Sequence, residues 1–247
     1  METCKNCGKP LIPYGGKCVY CGADLVVKKT TIKQQKIPLR YSIDIVFCVD
    51  GTCSMAPVLD SIKENIISFI DVCNDSQVDW RARMVVFRDS EVDEEWLEND
   101  NPFVSSKEDL VTQLGRVKAK GNAEEEQDAS STMDALFYAA TKSDWRNIRF
   151  PGGPLDSDYE EFREYGGRYG FKFIVGFTDA KPRTCNPEFF ESEVFGIVDK
   201  LLLFVPNGSN INLWGNQVKE FEDPIEFYYH KQLDFSPIYS VLSQEYS

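Results

Sequence analysis

Histidine is almost missing from this chain: one residue of 247, His230, is His. A Ser-His-Asp relay or a histidine-ligated hydrolytic metal is hard to assemble from one imidazole far in sequence from any serine motif. There is no phosphate loop and no Gly-x-Gly-x-x-Gly, so the common nucleotide-binding signatures are absent. Long apolar runs are lacking too. The longest, such as LLLFV at Leu201–Val205, fall far short of the roughly 20 residues a membrane span requires. The N-terminus, METCKNCGKP, is polar and charged and has no apolar signal core. The expectation is a soluble, intracellular, cytoplasmic protein with no membrane partner.

Basic charge is scarce outside the N-terminus. The chain holds 27 Lys/Arg against 40 Asp/Glu, a formal net charge of −13. Residues 1–40 contain 8 of the basic and 2 of the acidic residues, so the remainder carries −19. A body this acidic repels phosphate backbones, and only the N-terminal segment is able to attract one. Nucleic acid is therefore not expected as the main partner. Apolar material is sufficient for a packed core: 42% hydrophobic, with 17 Phe and 11 Tyr. The length suits one large domain plus a small appendage.

Eight cysteines in an intracellular setting point to metal or free thiols rather than a disulfide framework. Four are ordered as Cys4-x-x-Cys7 and, ten residues on, Cys18-x-x-Cys21, each pair trailed by glycine in CKNCGKPL and CVYCGADL. Two residues between cysteines let one tight turn aim both sulfurs at a single ion, and the glycine suits a positive φ. Over Thr3–Leu25 the pattern resembles the zinc-ribbon family. The resemblance implies structural Zn²⁺ on Cys4, Cys7, Cys18 and Cys21. Four thiolates leave no open position for catalysis, and so short a segment needs metal to fold. Lys5, Lys9, Lys17, Lys28, Lys29, Lys33 and Lys36 keep a docking or nucleic-acid role open. The expected organisation is a ribbon at 1–25, a basic linker at 26–40 and a main domain at 41–247.

The main domain alternates in pattern. Continuous apolar runs predict buried strands at Ser42–Val49, Trp80–Asp89, Phe171–Ala180 and Asp199–Pro206, with another at Ile225–His230. Helical spacing predicts helices over Pro57–Cys73, Ser106–Val117 (with a capping-box-like Ser106 and Asp109) and Ser130–Ser143, and a closing helix in SPIYSVLSQEY. Ser90–Asn101 reads as a loop or edge hairpin, and FPGGPLDSDYEEFREYGGRYG as a long loop on the rim of a crevice. Strands alternating with helices argue an α/β fold, a doubly wound, mostly parallel sheet covered on both faces.

In such sheets ligands bind beyond the carboxyl ends of the strands. Asp50 and Asp179 are each the first acidic residue after a buried strand. Asp50-x-Thr52-x-Ser54 adds two hydroxyls on one tight loop, and KGNAEEEQDASS could add a third hydroxyl or carboxylate. An all-oxygen set of this kind suits a small hard ion, Mg²⁺ or Mn²⁺. Taken singly, either Asp could be an ordinary helix N-cap. Together, DGTCSM and FTDA resemble the von Willebrand factor A domain and its metal-ion-dependent adhesion site, over roughly Tyr41 to Ser247. The resemblance implies that Asp50, Thr52, Ser54 and Asp179 hold the ion, Thr52 replacing the family's middle Ser. It implies a second-loop ligand, for which Ser130 is the preferred match and Asp128 and Ser131 are rivals. The family usually has glycine at the position of Cys53. RMVVFRD, GFTDAKP and the zinc appendage most resemble the intracellular group linked to bacterial stress and tellurium resistance.

The remaining cysteines divide. Cys48 and Cys73 lie on apolar faces and read as core, whereas Cys53 and Cys185 follow strand ends, where a redox pair or a soft ligand set would need a distance the sequence does not fix. The function expected is a binding module, not an enzyme. It would take a partner protein's Asp or Glu through the bound ion, and the resemblance implies assembly with a kinase or phosphatase in a stress or defence complex. The alternatives are a Mg²⁺-dependent phosphohydrolase, with Asp128 or the Glu124–Glu126 run as base, and a nucleic-acid-associated regulator acting through the ribbon.

Overall fold

A computed structural model describes residues 42–90, 95–98, 101–120, 131–149, 168–180, 194–206, 214, 226–229 and 235. The chain divides after Lys36 into two units, and every described residue lies in the second, Ile37–Ser247. The strands are β1 (Ser42–Asp50), β2 (Asp79–Phe87), β3 (Leu97–Glu98), β4 (Ile148–Arg149), β5 (Arg168–Phe177), β6 (Lys200–Val205) and β7 (Glu226–Tyr229). The helices are α1 (Ala56–Asp75), α2 (Lys107–Arg116) and α3 (Thr132–Lys142). The fold is α/β, with a mostly parallel sheet ordered β3-β2-β1-β5-β6-β7, β4 pairing β5 to one side and β3 alone antiparallel.

β1 sits between β2 and β5 in unbroken parallel register, Ser42 opposite Asp79 and Gly170, Val49 opposite Val86 and Phe177. Its alternating side chains feed two cores. Ile43, Ile45, Phe47 and Val49 pack with Leu59, Ile62, Ile66 and Phe69 of α1 and Leu110 and Leu114 of α2. Val46 and Cys48 pack on the opposite face with Met133, Leu136 and Ala140 of α3 and with Trp214. Asp44 and Asp50 share that second face by the same period of two. Both faces are covered, which is why these strands read as continuous apolar runs.

Helix ends follow their sequence signals. Pro57 lies in the first turn of α1, where its missing N–H costs nothing. Ser106 caps α2, its hydroxyl accepting from Asp109 N at 3.1 Å and donating to the Asp109 carboxylate at 2.7 Å. The outer edge of β2 is closed piecewise. Ala82 exchanges two 2.8 Å bonds with Val104, Met84 N donates to Gln113 Oε1 at 3.0 Å and Met84 O accepts from Asn101 at 3.1 Å, and β3 completes the ladder. An edge sealed this way offers no strand template.

Several boundaries differ from expectation. β2 stops at Phe87, because Arg88 N already turns to Trp96 O. β5 starts earlier, at Arg168, and stops at Phe177, the last residue paired in register with β6, although Thr178 N still donates to Phe204 O at 3.1 Å. β4 has two residues, too few for a readable pattern. The expected closing helix lies outside the described residues. No described helix is long and apolar enough to cross a membrane.

Candidate functional site

β1 is followed by β2 on one side of it and β5 by β6 on the other, so the strand order reverses between these two neighbours, and their carboxyl ends flank the switch point where α/β sheets open a crevice. Asp50 is the last residue of β1, and Thr178 and Asp179 directly follow β5.

Gly51 makes the turn out of β1. Its N–H donates to Phe87 O at 2.7 Å, and a Cβ there would lie 2.8 Å from Val86 Cγ1, so the close approach admits only glycine without displacement. Thr52 follows, its N–H and hydroxyl both donating to Asp50 Oδ1, at 3.0 and 2.7 Å. A short 3₁₀ turn, Cys53–Met55, is closed by Met55 N on Thr52 O and anchored by the buried Met55 side chain. It leaves Ser54 exposed.

The site residues form one continuous chain of oxygens. Thr178 Oγ1 donates to Asp50 Oδ2 at 2.7 Å. Thr52 Oγ1 lies 3.1 Å from Ser54 Oγ, which in turn donates to Asp179 Oδ1 at 2.9 Å. Asp50, Thr52, Ser54 and Asp179, the four residues named from sequence on the first and third loops, are thus brought together. Asp50, Thr52 and Thr178 are buried, while Asp179 is half-buried and Ser54 open to solvent.

The protons in this chain do not suffice for its contacts. With both carboxylates ionised, Thr52 and Ser54 own one hydroxyl proton each. They must serve three contacts: Thr52 with Asp50, Ser54 with Asp179, and Thr52 with Ser54. If the first two keep their protons, two oxygen lone pairs face each other across 3.1 Å. A cation held by these residues would relieve that conflict, a donor set of the kind that suits a hard ion. Among the described residues no group of three or more His, Cys, Asp or Glu comes together. The set consists instead of two carboxylates diluted by hydroxyls.

Electrostatics point the same way. Burial lifts the Asp50 carboxyl from 3.8 to about 6, against the hydrogen bonds from Thr178 and Thr52, and the nearby Asp179 charge adds to the rise. Asp44, equally buried on the same face of the same strand, is treated differently. Arg81 reaches it through Nη2 at 2.6 Å and Arg146 through Nε at 2.7 Å, and Arg146 N adds a bond of 2.8 Å. Asp44 is neutralised from within, whereas none of the described ion pairs supplies a cation to Asp50.

The second loop is placed only in part. Ser130 and Asp128 lie outside the described residues. Ser131 is buried and turned elsewhere: its hydroxyl accepts from Ser90 N at 2.9 Å and donates to Ser90 Oγ at 2.7 Å. Cys4, Cys7, Cys18, Cys21, Cys185 and His230 also lie outside the described residues, as do Glu124–Glu126. Cys48 and Cys73 are free thiols. Burial pushes Cys48 and Cys73 up to about 12, as suits core residues. Cys53 is half-buried beside Thr52 and Ser54.

Three supporting residues were not singled out from sequence. Thr178 holds the far oxygen of Asp50, and its position just before Asp179 in FTDA was the available signal. Thr132, the first residue of α3, places its hydroxyl 3.4 Å from that of Thr178. Trp214, fully buried, donates its indole N–H to Ala180 O at 3.2 Å and fixes the loop carrying Asp179. Nothing local in the sequence announces that contact.

No family model and no curated protein matches the chain. Among solved structures, proximal thread matrix protein 1 from the mussel byssus aligns at 13% identity over 83% of this chain, with a TM-score of 0.49. This chain spans 47% of that one. At such a level of likeness neither family nor activity carries over.

Proposed function

We propose that the crevice at the ends of β1 and β5 is a metal-ion-dependent adhesion site that captures a partner protein's Asp or Glu. The observation that supports this reading best is the state of Asp50: fully buried, held among the described residues by hydroxyl and amide dipoles, and on the same strand as an Asp44 that has two arginines. Asp50, Thr52, Ser54 and Asp179 would hold Mg²⁺ or Mn²⁺ directly or through water. Ser130 would supply the second-loop oxygen, with Asp128 as its rival. A bound ion supplies an electrophilic coordination position that an incoming carboxylate fills in place of water. The exposed Ser54 and half-buried Asp179 face that arrival, while Asp50, Thr52 and Thr178 form the rigid floor.

The chain belongs, on this reading, with the intracellular von Willebrand factor A proteins, and Cys4, Cys7, Cys18 and Cys21 hold a structural zinc. Its work is binding rather than turnover, in a stress or defence assembly that includes a kinase or phosphatase. The test is affinity capture from native lysate with wild type and Asp179→Ala, in Mg²⁺ and in a Mg²⁺-depleted buffer that spares zinc. A partner held only by wild type in Mg²⁺ is the expected result. Partners indifferent to both Mg²⁺ and Asp179 would overturn the proposal.

A further inference from the structure

Between α2 and the site loop the chain reads Arg116-Val117-Lys118-Ala119-Lys120. Val117 has extended backbone and is buried, and Ala119 packs on the core beneath α1 and α2. Arg116, Lys118 and Lys120 are exposed. Arg116 ends α2, and from there exposure alternates with burial, which leaves Arg116, Lys118 and Lys120 outward in succession, Lys118 and Lys120 roughly 7 Å apart. The row ends against the site: Lys120 N donates to Gly51 O at 2.8 Å, and Lys120 bridges in parallel to Thr52. Lys118 O lies 3.6 Å from where a Gly51 Cβ would be.

Leu110–Lys120 contains no acidic residue in a chain of net charge −13. Lys120 shares Glu98 with Arg88, its Nζ 2.7 Å from the carboxylate. Arg116 and Lys118 make no ion pair among the described residues. A solvated surface needs no such segregation, and a cationic strip beside a carboxylate-binding loop complements one kind of partner.

We infer that Arg116, Lys118 and Lys120 form a second docking element, which takes an extended acidic protein segment carrying Asp or Glu at every second residue. One such acid would reach the adhesion site, and those before it would lie along the row; the inference rests on the adhesion-site reading for that first acid only. Past the end of α2 the repeat of an extended segment matches the Lys118–Lys120 spacing, so acid meets base there, and Arg116 adds charge just behind them. A polynucleotide fits less well. Its charge continues past three cations into a body of net −19, whereas a short acidic segment ends.

The probe is a fluorescent decapeptide of alternating Glu and Thr, followed by anisotropy against the full chain with zinc and Mg²⁺ present. R116E/K118E should weaken binding by about tenfold at low salt, and R116Q/K118Q by about threefold, with melting temperatures unchanged because both side chains are exposed. Added salt should weaken wild type far more than R116E/K118E. No binding by wild type, or equal binding by R116E/K118E, would overturn the row. So would an oligonucleotide of equal charge that binds as tightly and is lost with the same substitutions. Loss with R116E/K118E but indifference to Mg²⁺ and to Asp179→Ala would uphold the row and remove the metal site. The reverse pattern would remove the row and leave the metal site standing.

Discussion

Replacing Asp50 by asparagine tests whether its buried charge is kept for an ion or for the fold. Burial raises this carboxyl from 3.8 to about 6. A raised carboxyl favours the protonated form in the folded state. Its contribution is therefore full below pH 3.8 and is lost as pH rises through about 6. A rise of that size corresponds to about 3 kcal/mol. Asp50 by itself should accordingly take about 3 kcal/mol from metal-free wild type between pH 4 and 6 and nothing further above, a step read as the difference between wild type and D50N. In D50N the new amide would still accept from Thr52 through its oxygen, and its nitrogen would face Thr178 Oγ1, which can accept. D50N should erase the pH step and match or exceed metal-free wild type at pH 7.5. Mg²⁺ should act oppositely on the two: at a hundredfold excess over its Kd it adds about 2.7 kcal/mol to wild type and nothing to D50N. Urea unfolding by tryptophan fluorescence reads this directly, because all four tryptophans (Trp80, Trp96, Trp145 and Trp214) lie in the second unit. D50N several kcal/mol less stable than metal-free wild type at pH 7.5, or equal stabilisation of both by Mg²⁺, would refute the reasoning.

Two further outcomes separate support from site. Asp44→Ala strands Arg81 and Arg146 beside the sheet without their shared carboxylate, and should cost about 3–5 kcal/mol in urea unfolding with no change in Mg²⁺ affinity. Ser54→Ala, at an exposed position, should change stability by no more than about 0.5 kcal/mol. It should nevertheless weaken Mn²⁺ binding, measured by electron paramagnetic resonance, by about tenfold or more.

Strands buried on both faces were the most legible part of the fold. SIDIVFCV and FKFIVGF are runs that only a doubly covered sheet accommodates, and β1, β5 and β6 lie where those runs place them. The first and third loops were legible because Asp50, Thr52 and Ser54 are spaced within one turn and Asp179 ends a comparable strand. Residues whose role depends on a distant partner were not legible. Arg146 sits in SDWRNIR, a segment without pattern, yet it reaches Asp44, 102 residues away in the chain. Trp214 and Thr132 act on the third loop only because the tertiary structure brings them over it. Asp44 itself is an acid inside an apolar run, which signals a buried partner but not which one.

Asp44 and Asp50 show why position along a parallel strand decides the fate of a carboxylate. They stand six residues apart on one face of β1, roughly 20 Å from each other. At the start of the strand, Arg81 from β2 and Arg146 from beyond α3 donate to Asp44. That neutralisation is permanent, since a guanidinium stays charged at any ordinary pH and occupies both carboxylate oxygens. At the end of the strand, an arginine reaching Asp50 would fill the crevice in the same way. Thr52 and Thr178 orient Asp50 instead, through hydroxyls that carry no net charge and keep lone pairs to offer. The carboxylate is fixed in place, none of the described ion pairs offsets its charge, and the hydroxyl oxygens that hold it keep lone pairs.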